Sequence, residues 1–234
     1  MEAPVGAVES LLRTPPFQDT SRQQLEELVP SLRFFRYDAG DIVWRAGDGA
    51  SDLCFVLEGQ VQAVETSEHG AQVIHDVVGA GESFGHPALF APSAKRVVTV
   101  IALVPTMLAR LPKEPLLVFL ETHPAAMRRM LESMSLLLLS FSSQVTGLAF
   151  HSVRARVALQ LIQLADQYGQ PVDGGGLRIP FRLSQTTWAG LVATTRESVN
   201  RALSDFAAAG DISQRGGYIT VHHRDRLRGM LAGR

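Results

Sequence analysis

Apolar positions along the chain change their rhythm three times. Two short amphipathic segments, near residues 7 to 13 and 22 to 32, come first. The pattern then breaks into brief apolar runs: RFFRY (33 to 37), DIVWRAG (41 to 47), DLCFVLEG (52 to 59), QVQAVET (60 to 66), AQVIHDV (71 to 77), RVVTVIAL (96 to 103) and TMLARL (106 to 111). Gly40, Gly47, Gly59, Gly70, Gly79, Gly81 and Gly85 fall mostly between them, where tight turns demand positive φ. Short strands punctuated by glycine predict a small antiparallel β-roll over residues 33 to 111.

From Pro124 to Phe150 the spacing turns helical. Met127, Leu131, Met134, Leu138, Phe141, Val145 and Leu148 recur at alternating steps of four and three, an a/d seam. Such a helix would be roughly 40 Å long at about 1.5 Å per residue, more than a small domain needs for its own core. The seam predicts a parallel coiled coil with a second copy; the alternative is burial against the roll of the same chain. The uninterrupted apolar run Leu136 to Leu139 is bracketed by serines, so no membrane span is expected.

Residues 151 to 168 form another amphipathic helix carrying Val153, Val157, Leu161 and Leu164, and PVDGGG reads as a glycine-rich linker. RLSQTTWAGLVATTRESVNRALSDFAAAG then predicts two short helices with a four-residue break, Ser184 capping the first and a threonine the second. This is a helix–turn–helix. Val199, Ala202, Leu203 and Phe206 share one apolar face of the second helix; Arg196, Glu197, Asn200 and Arg201 share the opposite face and are candidates for reading bases. Glu197 has a second option, because Thr194-x-x-Glu197 has the spacing of a capping box. DISQRGGYITVHH fits a two-stranded wing turning at Gly216-Gly217, with Arg215 near its tip.

Charge sharpens this picture. Residues 1 to 150 hold 11 Lys and Arg against 17 Asp and Glu, whereas 151 to 234 hold 11 Arg, no Lys and 6 acids: −6 and +5 within a chain total of −1. Arginine concentrated in the helix–turn–helix region is what a phosphate backbone recruits, although a solvated basic face is the plainer alternative. The single cysteine, Cys54, excludes an intramolecular disulfide and a four-thiolate cluster within one chain; a strand position makes it buried and inert. The N-terminus has no basic segment leading into an apolar core, which predicts a cytoplasmic protein. No nucleophile elbow, phosphate loop or metal-ligand run supports an enzyme.

Taken in order, DAGDIVWRAGD and CFVLEGQV, then GLAFHSVRARVALQLIQLA, then TTRESVNRAL, the chain resembles the Crp-Fnr family of bacterial transcription regulators from about Phe34 to His222. The resemblance implies an α+β fold: a sensor β-roll domain over 1–123, a dimerisation helix over 124–150 and a winged helix–turn–helix over 151–234. It implies a homodimer on double-stranded DNA, a palindromic TGTGA-like promoter site, and RNA polymerase as partner. Arg196, Glu197 and Arg201 match the family's base-reading positions; arginine pairs with guanine and glutamate with cytosine. Gln185, Thr194, Thr195 and Arg215 are candidate phosphate contacts. The alternative is a cyclic-nucleotide-binding regulatory subunit acting through protein partners.

The sensor cassette departs from the cyclic-AMP-responsive pattern. In ESFGHPALFAPSAKRVVTV, Gly85 and Arg96 remain, but His86 replaces the ribose-facing glutamate, Pro87 removes an amide and Val97 replaces a hydroxyl residue. Phe141 stands where that branch has an adenine-binding threonine. Each lost polar contact is worth about 0.5 to 1.5 kcal/mol, so ordinary cyclic-AMP control is not expected. The resemblance leaves three kinds of effector open, haem through His86 or His75, another nucleotide at Arg96 or an apolar molecule, and a fourth possibility of no effector.

Overall fold

The computed structural model describes residues 4–69 and 72–231; Gly70 and Ala71, which the expected strand pattern included, lie outside the described residues. Helices α1 (Ala7–Leu12) and α2 (Arg22–Glu26) precede the strands. Ser21 closes a capping box with Gln24 at the start of α2. The roll contains β1 (Arg33–Tyr37), β2 (Ile42–Trp44), β3 (Asp52–Glu58), β4 (Gln60–Thr66), β5 (Gln72–Gly79), β6 (Ser83–Phe84), helix α3 (His86–Phe90), β7 (Thr99–Ala102), β8 (Thr106–Pro112) and helix α4 (Lys113–Thr122). Two four-stranded sheets result, ordered β1-β8-β3-β6 and β2-β7-β4-β5.

Period two explains the layers: successive residues of a strand face opposite ways, and β3, buried on both faces, sends Phe55 into one apolar cluster and Cys54 and Val56 into another. One apolar cluster joins Leu11, Phe17 and Leu25 to Phe55, Leu111, Leu116 and Leu120, with Phe17 and Phe55 rings 5.2 Å apart. A second lies between the sheets, around Trp44, Cys54, Val56, Phe84, Val100 and Leu108. β6 was not expected; two residues carry no periodicity, and only their pairing with Cys54 and Phe55 makes them a strand.

Helix α5 (Pro124–Phe150) follows. Its first turns bury Ala126 and Met130 in the N-terminal cluster, and Arg129 reaches Asp19 at 2.6 Å. Beyond that most of the seam is exposed: Leu131, Leu138, Val145 and Leu148 are 56%, 69%, 67% and 52% exposed, while Met134 and Phe141 are half-buried. One sequence expectation is corrected here. By length and composition α5 is long and apolar enough to cross a membrane, with a mean hydropathy of 1.3 over an 18-residue window. The expectation counted only the uninterrupted run, whereas leucines on both sides of the serines raise the window average.

The C-terminal part comprises α6 (Val153–Tyr168), β9 (Gln170–Pro171), β10 (Leu177–Arg178), α7 (Gln185–Leu191), α8 (Arg196–Ala208), β11 (Ile212–Arg215), β12 (Tyr218–Val221) and α9 (Arg224–Gly229). Ser152 caps α6 by accepting the Ala155 amide at 3.2 Å. Two further corrections follow. The wing is four-stranded, ordered β11-β12-β10-β9, and the glycine run expected as a linker is the turn between β9 and β10. Three glycines in a row read as flexibility, but Gly174, Gly175 and Gly176 all adopt positive φ, which a tight reversal uses. Packing divides the chain into two compact units, Met1–Glu65 with His75–Ser140 and Thr66–Ile74 with Phe141–Arg234.

Candidate nucleic-acid interface

Helices α7 and α8 form the helix–turn–helix, separated by Val192 to Thr195. Ser184 Oγ accepts the Thr187 amide at 3.0 Å and caps α7. In the turn, Ala193 adopts φ 47, an uncommon conformation for a residue with a Cβ. Arg156 of α6 holds that turn: it donates from Nε to the Val192 carbonyl at 2.9 Å, and its other nitrogens reach the Ala193 and His151 carbonyls at 3.3 and 3.2 Å. Sequence reasoning did not single out Arg156, because its acceptors are backbone carbonyls that leave no pattern of residue types.

Thr195 caps α8, its Oγ1 accepting the Ser198 amide at 3.2 Å. The capping box available to Glu197 from Thr194 is therefore not formed: Glu197 is the second residue of the helix, one short of the capping-box position. Val199, Ala202, Leu203 and Phe206 are buried. Arg196, Glu197, Asn200 and Arg201 are exposed, within an arc of roughly 140° at about 3.6 residues per turn. Gln185 is exposed at the first position of α7, and Thr194 is half-buried in the turn.

At the wing, Arg215 pairs across from Tyr218, and Gly216 and Gly217 close the hairpin at φ 57 and 84, the two positive values that a two-residue turn of this hand requires. Arg178 and Arg182 lie over the Tyr218 ring at 4.2 and 4.8 Å from its centroid. Neither was singled out from sequence; they precede the helix–turn–helix in the chain, and only the β10–β12 pairing brings them to the wing.

The arginines of this unit divide by partner. Arg154, Arg224, Arg226 and Arg228 pair with Asp205, Asp166, Asp211 and Asp225. Among the described residues, Arg178, Arg182, Arg196, Arg201 and Arg215 have no ion pair, so their charge stays available to phosphate or base acceptors.

The sensor candidates lie elsewhere. Gly85 precedes α3 at φ 99, and His86 is buried with Nε2 3.1 Å from Ser83 Oγ; burial alone lowers its pKa to about 4. His75 Nε2 faces Glu65 at 3.1 Å. Arg96 is 4% exposed, its guanidinium stacked 3.8 Å over the Trp44 ring and bonded to the Asp52 carboxylate at 2.5 Å. Phe141 sits on α5, in the other compact unit. Burial pushes the Cys54 thiol well up, which keeps it protonated. Among the described residues no group of three or more His, Cys, Asp or Glu side chains is placed to hold a metal ion.

Comparison with known proteins decides the family. The family model of the cyclic nucleotide-binding domain matches residues 34–123, and that of the Crp-like helix-turn-helix domain matches residues 155–230. The chain belongs to the Crp-Fnr family of transcription regulators. It is 27% identical over 219 residues to the CRP-like cAMP-activated global transcriptional regulator of Mycobacterium tuberculosis, covering 94% of this chain and 97% of that one. It is also 27% identical to the global nitrogen regulator of a Synechocystis species, covering 92% and 95%. The c-di-GMP responsive global regulator CLP of Xanthomonas campestris superposes with a TM-score of 0.72 at 25% identity, covering 86% of this chain and 99% of that one. These three are named for different roles: cAMP activation, nitrogen regulation and response to c-di-GMP.

Proposed function

We propose that this Crp-Fnr regulator works in the cytoplasm as a non-enzymatic homodimer that reads a palindromic TGTGA-like promoter site and meets RNA polymerase there. The observation that carries the reading is the exposed, unpaired face of Arg196, Glu197, Asn200 and Arg201 on a helix whose opposite face is buried. Arg196 and Arg201 donate to guanine O6 and N7; Glu197, free of capping duty, accepts from cytosine N4. Gln185, Thr194, Thr195 and Arg215 bind phosphates and set register.

The mostly exposed α5 seam supports the dimer, since covering a leucine is worth about 1.5 to 3 kcal/mol and a second α5 supplies the cover. One helix–turn–helix per chain then meets two half-sites about 34 to 36 Å apart. Ordinary cyclic AMP is not the switch: His86 is buried and neutral where the cyclic-AMP-responsive pattern has a carboxylate, and Arg96 is already engaged by Asp52. A gel shift on a palindromic duplex at two salt concentrations tests the reading. Specific retention that survives competitor DNA supports it; retention that vanishes equally for every sequence as salt rises contradicts it.

A further inference from the structure

The roll interior holds a charged cluster that DNA reading does not use. Asp52, the first residue of β3, presents one carboxylate to two arginines: Arg96 Nη2 donates to Oδ1 at 2.5 Å, and Arg110 Nη1 lies 3.6 Å from Oδ2. Arg96 Nη2 also donates to the Asp52 backbone carbonyl at 2.9 Å. Arg110 donates to Tyr37 Oη at 2.8 Å and to the Val43 carbonyl at 3.0 Å. Cys54 Sγ is 3.7 Å from Asp52 Oδ1.

This cluster is closely packed. The Arg96 backbone amide donates to Asp48 O, and its carbonyl accepts from Gly47, both at 2.8 Å. Trp44 covers one side of the guanidinium, fixed by its own Nε1 bond to Val98 O at 3.0 Å. Gly85 covers another: a Cβ there would stand 2.7 Å from Nη1. Two guanidinium groups, Arg96 buried and Arg110 half-buried, against one half-buried carboxylate leave an excess of positive charge. Accordingly, Arg96 Nε and Nη1 and Arg110 Nε are buried with no hydrogen-bond partner. A buried charge persists only when a counter-ion is held close, and here the chain supplies that ion itself.

We propose that Asp52 is a resident anion, which occupies the Arg96 guanidinium in place of a phosphate-bearing effector. This deepens the reading that cyclic AMP is not the switch, and rests on it, by naming the residue that excludes the nucleotide's phosphate. A guanidinium fork suits carboxylate and phosphate alike, so removing the carboxylate turns the same cluster into a receptor for an external oxyanion.

The test uses the full-length protein, Asp52→Asn and Asp52→Ala, each melted against rising inorganic phosphate and, separately, cyclic AMP. Wild type is expected to shift by less than about 1 °C and to bind no labelled cyclic AMP saturably at millimolar concentration; either Asp52 variant gains a saturable rise of more than about 3 °C. The gain disappears when Arg96→Ala is added. A rise with phosphate means that the oxyanion alone suffices; a rise with cyclic AMP alone means that the rest of the nucleotide contributes. Both support a resident anion. Asp52→Asn keeps the shape of the site should Asp52→Ala not fold. Folded variants that respond to neither anion, or saturable cyclic AMP binding by wild type that Arg96→Ala abolishes, overturn the proposal. A gel shift on the same wild-type sample separates the two readings, because loss of DNA binding would sink the regulator's proposed site without touching the anion measurement.

Discussion

Thr195 Oγ1 accepts the backbone amide of Ser198 at 3.2 Å, and this bond sets the start of α8. Arg196 becomes the first helical residue and Glu197 the second, both exposed at the N-terminal end that enters a major groove in helix–turn–helix proteins. Replacing Arg196 by Ala should cost roughly 1 to 3 kcal/mol on a matched site and relax preference at one guanine per half-site. Competition with single-base variants of the duplex checks this. Equal weakening on all of them would remove Arg196 from base reading.

Arg215 should behave differently. Beside a two-glycine turn, and without an ion-pair partner among the described residues, it is proposed as a phosphate contact. Arg215→Ala should weaken matched and scrambled duplexes alike and lower the salt slope by about 1 per subunit. Anisotropy titrations at several salt concentrations measure both quantities. A base-dependent loss with an unchanged slope would contradict the assignment.

The α5 seam gives the third expectation. Leu138 and Val145 are exposed in the single chain, so changing both to Glu leaves the packing of each unit intact while placing like charges face to face in a dimer. Sedimentation should show the variant as a monomer at concentrations where wild type is dimeric, with DNA affinity down by at least about tenfold. A double variant that stays dimeric would move the interface elsewhere.

His86 makes the stability of the roll pH-dependent. Its folded pKa of about 4 lies below the ordinary value of 6.5 because burial disfavours the charged ring. The unfolded chain therefore takes up a proton that the folded chain refuses. His86 costs no stability above pH 6.5, and the penalty grows as pH falls from 6.5 toward 4, reaching about 3 kcal/mol. Asp76, whose pKa burial raises to about 7, gains stability over the same fall in pH, so the His86 loss is read as a difference: between pH 7.5 and pH 5, urea titrations should show wild type losing stability relative to His86→Gln. The same change in both would place the titrating group elsewhere.

The elements that follow a period were legible in the sequence. RFFRY is β1 to the residue, the α5 heptads lie on one helix, and α7 and α8 start where the caps Ser184 and Thr195 put them. What escaped were features made by pairing across the chain. Ser83 and Phe84 become a strand only beside Cys54 and Phe55, and PVDGGG is a turn only because β9 and β10 meet. Arg96 finds Asp52 across 44 residues, and Arg178 and Arg182 reach the wing through sheet order. No local spacing encodes such contacts. Conversely, whether Glu197 closes a capping box turned on which of two adjacent threonines caps, a matter of one residue.

The most direct measurement is a titration of one labelled palindromic duplex, and of the same duplex with one half-site scrambled, with and without millimolar cyclic AMP. Two protomers per intact duplex are expected. Scrambling should cost at least about tenfold in affinity, and the nucleotide should change affinity by less than about threefold, a coupling under roughly 1 kcal/mol. One protomer per duplex, indifference to the scrambled half-site, or a tightening of about tenfold or more with cyclic AMP would contradict a dimer that reads two half-sites without that effector.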